Sequence, residues 1–477
     1  MKPSPRFSRI WMGSMASESK LGPRQKKVIG LILGVLLAGG SVYYLCTGFF
    51  GQISSLTQMM PLLGIAMVLA FINYPPKKSA TLRVRLVDYT LAAISVGICV
   101  YLVLTERESA MAIAPPTGFK LAAAWVLIFL LLEATRRVMG WPLVGIVLVF
   151  LVYAKFGSYL PGILHHWGFD WSRIADYISL SPEGIFSLPI YVCSTIIIFF
   201  MIFAAFLRVG GGGDFIVNLS RSILGKYRGG PAKMAVIASS FFGTISGSAV
   251  ANVATTGTIT IPLMKNIGYE AKKAGSIESL ASTGGQFMPP IMGAAAFLMA
   301  EIIGCGYWAV VVAAFLPAVL YYISLFVIVD FEAAKSGLRG LPKEQIPPWK
   351  PLLAQGWFFI IPLIVLIYFL GVAHISAMRA CLYALISLVV VAAFSRRTRL
   401  GLSKLYEGLR SGMASMTEVT LACACAGIII GIMYLTNLGI NLSAALVTIS
   451  HGNVVLLLVL AAVTSLILGL GMTTSAC

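Results

Sequence analysis

The chain holds 477 residues, 58% of them hydrophobic and only 11% charged, with a mean hydropathy of +0.91. Soluble domains carry roughly 25% charged residues, so this composition excludes a soluble globular protein and defines an all-α, polytopic membrane protein. The formal net charge of +18 comes from 35 Lys and Arg against 17 Asp and Glu; the basic residues sit in short connections between apolar runs, which marks membrane flanks and argues against a nucleic-acid partner.

Residues 1–27 form a basic, polar tail, predicted to be cytoplasmic. The apolar run 28–50 is too long and too far from the start for a signal-peptide core and is predicted as the first membrane helix. Further runs of spanning length follow at 55–74, 86–105, 119–138, 141–160, 185–207, 307–330, 352–371, 376–394 and 415–436. Residues 28–160 form a first group of helices, 161–184 a connection expected on the periplasmic side, 185–414 a second group, and 415–477 the start of a further repeat. Three segments are irregular: 233–264, 276–303 and 453–477.

The stretch 239–293 is dense in Gly, Ser, Thr and Asn and ends near Pro289-Pro290. Backbone at membrane depth must satisfy its own hydrogen bonds, so broken, polar chain persists there only when buried in protein or lining a watery cavity. Residues 233–245 would make a helix of roughly 20 Å, short of a core of about 30 Å. If 233–264 enters and leaves from one face, all but five of the 35 basic residues (Arg107, Lys120, Lys155, Arg173 and Arg379) fall on the cytoplasmic side. The segment is therefore predicted as a re-entrant hairpin. Gly284-Gly285 and Pro289-Pro290 predict a helix broken near mid-membrane over 276–303, because proline removes a donor and clashes with the preceding turn. Residues 437–453 predict an amphipathic helix. The run after it enters the membrane, with Gly469, Gly471, Thr473, Thr474 and Ser475 as a small, hydroxylated tip. Two hairpins of opposite sense predict inverted repeats, the second cut short at Cys477.

The first tip, Ser246 to Thr258, offers hydroxyls, carbonyls and the Asn252 amide, which are hard, neutral oxygens suited to an alkali cation. Half-helix N-termini suit an anion. The tip has no titratable side chain, which favours Na⁺ over a proton relay. Glu278 and Glu301 are expected near the two solvated ends of the broken helix, and Glu133 is expected to pair locally with Arg136 and Arg137. Gly210–Gly213 precede Asp214 without a strand or a following Gly-Lys-Ser/Thr, so a flexible connection is expected rather than a phosphate loop. Of the eight cysteines, those inside apolar runs are expected to be small core residues; Cys423-Ala-Cys425 lacks zinc spacing. No Gly-x-Ser-x-Gly and no nucleophile–base pair point to an enzyme.

The run GGPAKMAVIASSFFGTISGSAVANVATTGTITIPLMKNIGYEAKKAGSIESLASTGGQFMPPIMGAAAFLMAE closely resembles the large membrane subunit of tripartite ATP-independent periplasmic (TRAP) transporters. It looks most like the fused permeases of the TAXI subgroup. The resemblance implies a small-subunit-like region at 28–160 and a large subunit from about 185. It implies an elevator-type transporter in the cell inner membrane, in which hairpin and broken helix move together. It also implies a periplasmic substrate-binding protein as partner, a small organic anion as cargo and Na⁺ as coupling ion, with no organic cofactor. By motif match, Ser248, Asn252, Gly284, Gly285 and Phe287 would hold Na⁺, and Ser246, Thr255, Thr256, Gln286, Pro289 and Pro290 would face substrate. A second Na⁺ would lie near Gly471–Thr474. The alternatives are a truncated, non-transporting membrane remnant and a proton-coupled anion carrier.

Overall fold

The computed structural model describes residues 23–52, 54–76, 82–105, 118–394, 401–450 and 453–469. Most of the N-terminal tail, Arg107, Gly471, Thr473, Thr474, Ser475 and Cys477 lie outside the described residues. In chain order the α-helices are α1 (Pro23–Phe50), α2 (Ser55–Asn73), α3 (Leu82–Leu104), α4 (Gly118–Met139), α5 (Trp141–Phe156), α6 (Trp171–Leu180) and α7 (Leu188–Val192). There follow α8 (Ile198–Val209), α9 (Gly212–Leu224), α10 (Gly230–Ser246), α11 (Ala249–Asn266), α12 (Ala271–Thr283), α13 (Ala294–Ile303) and α14 (Tyr307–Lys335). The last are α15 (Trp349–Gly356), α16 (Ile360–Ile367), α17 (Ala377–Phe394), α18 (Leu402–Leu435), α19 (Leu438–Ile449) and α20 (Val454–Gly469). No strand occurs among the described residues. Among the described residues, eight helical segments are long and apolar enough to cross a membrane: Ile29–Phe50, Ser55–Asn73, Val84–Leu104, Gly118–Met139, Trp141–Tyr159, Leu188–Val209, Tyr307–Lys335 and Leu402–Leu435.

The run 352–371, expected as one span, is broken instead. Lys343–Ala354 and Trp357–Val372 meet at a 65° bend. Pro362 falls three residues past the 3₁₀ turn Trp357–Phe359, and the second half ends in a π turn, Tyr368–Val372. Segment 161–184 holds more than connecting chain: α6 buries Ile174, Ala175 and Ile178, and Trp171 packs edge-on against Trp125 of α4, 5.8 Å between ring centroids.

Contacts divide the chain into two compact units, Met1–Ser194 with Met413–Cys477, and Thr195–Gly412. In the first, α2 starts with a capping box in which Ser54 and Thr57 satisfy each other's backbone N–H. Tyr44 of α1 donates to the Gln58 carbonyl at 2.7 Å. Arg137 joins Glu133 (2.7 Å) to Asp88 of α3 (2.6 Å), and Arg136 also binds Glu133 at 2.7 Å. The expected local pairing of Glu133 is thus present and extends to a buried carboxylate that sequence spacing did not indicate. Cys99, Cys193, Cys423 and Cys425 are buried, as expected of core residues, while Cys46 is exposed.

The second unit is built around α10, α11, α12 and α14. Its core joins Ala232, Ala235 and Val236 of α10, Met264 of α11, Ala274, Ile277 and Ala281 of α12, and Tyr322, Leu325 and Val329 of α14. The glycine run 210–213 departs from the flexible connection expected. Gly211 takes a left-handed φ of 101°, a conformation that favours glycine. Gly212 and Gly213 already belong to α9. A Cβ on Gly213 would lie 3.1 Å from the Phe242 ring and 3.3 Å from Cγ2 of Thr255, so the run is a tight, packed corner.

Candidate functional site: a hairpin interlocked with a broken helix

α10 and α11 form a helical hairpin closed by Gly247 and Ser248. Gly247 adopts φ 59° and donates its N–H back to the Gly243 carbonyl at 3.0 Å, ending α10 in a left-handed cap. Ser248 then caps α11, its hydroxyl accepting the Ala251 N–H at 3.3 Å. α11 is rich in Thr and Gly, which are weak helix formers; packing carries it, and three threonine hydroxyls fold back onto carbonyls four residues earlier. Those bonds are Thr255 to Ala251 (2.8 Å), Thr256 to Asn252 (2.9 Å) and Thr260 to Thr256 (3.0 Å). Ser239 Oγ meets Thr256 Oγ1 at 3.1 Å, symmetrically about the turn, so the two helices run antiparallel.

The broken helix lies against this hairpin. α12 ends at Thr283, Gly284–Gln286 make a 3₁₀ turn, the Pro289-Pro290 bond is cis, and α13 begins at Ala294. The second helical half begins only after Met292, which has a left-handed φ of 60°. The break closes on itself through the Gly293 N–H, which donates to the Gln286 carbonyl at 2.6 Å. Two glycine contacts join the halves of the site. A Cβ on Gly243 would fall 2.3 Å from the Gly285 Cα, and a Cβ on Gly247 would fall 2.0 Å from the Met292 carbonyl oxygen.

α14 supplies what the break removes. A broken helix leaves carbonyls without intrahelical partners. Tyr321 donates to the Leu280 carbonyl at 2.8 Å and Tyr322 to that of Ala281 at 3.0 Å. Tyr307 reaches the Pro290 carbonyl at 3.0 Å and bonds to that of Ile291. These tyrosines were not singled out by sequence reasoning. The signal was indirect: three tyrosines on one long apolar helix, beside a segment whose carbonyls need donors.

The predicted residues separate into groups. Asn252 is wholly buried; its Nδ2 donates to the Ser239 carbonyl at 2.9 Å and lies 3.5 Å from that of Ser282. It also lies 3.1 Å from where a Gly285 Cβ would be. Asn252, Gly285 and Thr256 therefore come together at the hairpin–break contact. Ser246 and Ser248 flank Gly247, which abuts Met292 and Gly293, and Gly293 abuts Gln286. The Ser246 hydroxyl is buried and has no hydrogen-bond partner among the described residues. Gly284 lies instead against Tyr321 and Tyr322, where a Cβ would clash at 2.7–2.8 Å. Phe287 packs edge-on against Tyr321, 5.1 Å between centroids. Pro290 is held by Tyr307. Thr255 places its methyl against Gly213 of α9.

Glu278 is the main correction. It was expected near a solvated end, but it is fully buried, against the hairpin. Hydroxyls surround it: Thr256 and Thr260 bond to its two carboxyl oxygens, and Ser239 and Ser282 lie 3.3 Å away. The tip itself lacks a titratable group, but the packing behind it does not. Thr256 and Thr260 share one helix face, as do Glu278 and Ser282, but that spacing does not by itself tell that the two faces meet. Glu301, by contrast, is exposed.

A helical unit carrying long apolar segments, a capped hairpin and a helix opened at mid-length is the architecture of a membrane permease. Residues 126–477 match the family model of the tripartite ATP-independent periplasmic transporter, DctM component, and the chain belongs to that family. It is similar to the C4-dicarboxylate TRAP transporter large permease protein DctM of Pseudomonas aeruginosa, 29% identical over 176 residues, which are 35% of this chain and 41% of that protein. It is also similar to the sialic acid TRAP transporter permease protein SiaT of Haemophilus influenzae, 26% identical over 189 residues, 39% of this chain and 29% of the other. The isethionate TRAP transporter permease protein DctMQ of Oleidesulfovibrio alaskensis is 34% identical over 116 residues, 24% of this chain and 18% of the other. The matched regions thus span less than half the length of these relatives.

Proposed function

We propose that this chain is the permease component of a Na⁺-coupled uptake system for small organic anions, fed by a periplasmic binding protein, and that it is of the TAXI subgroup. Its place would be the cell inner membrane, with the N-terminus cytoplasmic. The observation that carries the reading is the interlock of hairpin and broken helix through Gly243–Gly285 and Gly247–Met292. It packs α10, α11, α12 and the turn before α13 against one another, the body an elevator would move, with opened backbone at its centre.

The donor set fits a small cation. Ser246 offers a buried hydroxyl without a partner. Ser248, Asn252 and the carbonyls at Gly284, Gly285 and Phe287 add neutral oxygens on the hairpin and the break, of which Asn252 and Gly285 lie in contact. The N-terminal end of α11 and the opened turn before α13 present positive dipole ends suited to a carboxylate. The printed names of the similar proteins speak of a C4-dicarboxylate, sialic acid and isethionate. All three are organic acids, which supports an acidic cargo.

The test is uptake by cells carrying the permease with its cognate binding protein, using labelled carboxylic and sulfonic acids. Accumulation of at least one acid that depends on both proteins is expected. Uptake that persists undiminished without the binding protein would contradict the reading.

A further inference from the structure

Glu278 is 0% exposed, and no salt bridge reaches it among the described residues. It sits on α12 but touches hydroxyls from three helices: Ser239 on α10, Thr256 and Thr260 on α11, and Ser282 on its own helix. Gly257 makes room for it, since a Cβ there would lie 3.1 Å from the Glu278 Cγ. The same helices, α10, α11 and α12, carry the apolar core of this unit, with Val236, Met264, Ile277 and Ala281 among its members. An isolated buried carboxylate is one of the costliest groups a protein can hold.

Every partner in the cage is a hydroxyl, and a hydroxyl both donates and accepts. Thr260 Oγ1 lies 3.0 Å from the Thr256 carbonyl, and Thr256 Oγ1 lies 2.9 Å from the Asn252 carbonyl. With Glu278 ionised, the hydroxyls can turn their protons onto it. With Glu278 neutral, Thr260 can give its proton to the Thr256 carbonyl and accept that of Glu278, while Thr256 still donates to the other carboxyl oxygen. Both charge states are satisfied by rotating hydroxyls alone. A guanidinium would have fixed the anion, and a purely apolar pocket would have fixed the acid.

The ionisable groups on the elements packed around it are occupied elsewhere or face outward. Lys233 of α10 pairs with Asp330 of α14, Lys273 of α12 with Glu332, and the Tyr321 and Tyr322 hydroxyls donate to carbonyls. Lys265, Glu270 and Lys272 are exposed.

We propose that Glu278 is a proton-binding site: in its neutral form it pins the hairpin to the broken helix, and loss of its proton loosens that contact. This goes beyond the Na⁺ reading and stands whether or not the tip takes a cation.

The experiment uses the full chain in a potassium salt free of Na⁺, so that it is decided apart from Na⁺ coupling. Thermal midpoints are recorded across about pH 5–9, where a buried carboxyl can titrate. A site that favours the neutral acid gives stability at low pH that is lost as pH rises. The wild-type midpoint is expected to fall by several degrees over the range. Glu278→Gln flattens that fall, and Thr260→Val, which removes a donor to the anion, moves it to higher pH. Infrared difference spectra keep the proposal testable if Glu278→Gln does not fold: the wild type should show a buried carboxylic C=O band that fades with rising pH and shifts in Glu278→Asp. A Glu278→Gln protein that keeps the full wild-type slope, or a wild type with no such band at low pH, would overturn the proposal.

Discussion

Gly243 and Gly285 touch backbone to backbone: a Cβ on the first would lie 2.3 Å from the Cα of the second, and the reverse contact is 2.6 Å. Neither neighbour is a flexible side chain, so neither can yield. Gly243→Ala is expected to force α10 away from the break and to cost about 1–3 kcal/mol, the usual range for overpacking. A thermal or denaturant midpoint measured on the purified chain checks this. Gly30, whose Cβ would meet nothing within 4 Å, is the control position and should tolerate alanine.

Tyr307 stands over the two carbonyls at Pro290 and Ile291 that the break exposes. Tyr307→Phe removes the donor and leaves buried acceptors unsatisfied, at a cost of about 1–3 kcal/mol. The same change at Tyr322 uncovers only the Ala281 carbonyl and should cost less. Comparing the two variants' midpoints tests whether α14 acts as a brace for the break; equal or negligible losses would argue against it.

Much of this was legible in the chain itself. Polar, glycine-rich sequence inside an apolar protein marked the hairpin, and two glycines and two prolines marked the break. Such signals are local, because each residue type restricts its own backbone. What stayed hidden depends on which faces meet. Glu278 was expected near solvent because nothing in its neighbourhood, Ser276 to Thr283, tells that Thr256 and Thr260 face it. Gly210–Gly213 look like a flexible stretch until Leu207, Phe242 and Thr255 are seen packed on them. Composition reports freedom of the backbone, not the space left for it. The bend in 343–372 was missed for a related reason, since hydropathy sums over a window and is blind to direction.

Asn252 holds the Ser239 carbonyl at 2.9 Å with its amide N–H. Asn252→Ala should cost about 1–3 kcal/mol through the lost donor. Asn252→Asp should cost more, because a carboxylate can only accept and would face carbonyl oxygens. Ranking the two against the wild type in one denaturant series decides the point, and a milder Asp variant would contradict the assigned orientation of the amide.

Tyr269, in the turn between α11 and α12, is pushed up to about 12 by burial and by the nearby Glu332 and Asp330. Its hydroxyl is buried with no hydrogen-bond partner among the described residues. The folded value lies above the usual value near 10, so the fold favours the neutral phenol. Stability is intact below about pH 10 and is lost as pH climbs towards 12. Tyr269→Phe is expected to match or exceed the wild type at neutral pH and to lose less stability on the alkaline side. A pH series of thermal midpoints on both proteins measures this.

The central claim is that the hairpin and the broken helix form one cation-organised transport site. Its most direct test is uptake of the cognate organic acid by cells carrying the permease and its binding protein, with Na⁺ replaced by K⁺ at fixed pH. A drop of about tenfold or more is predicted, within the range that 1–3 kcal/mol of coupling produces, together with loss of Na⁺ dependence in Asn252→Ala. Undiminished uptake in K⁺ would contradict it.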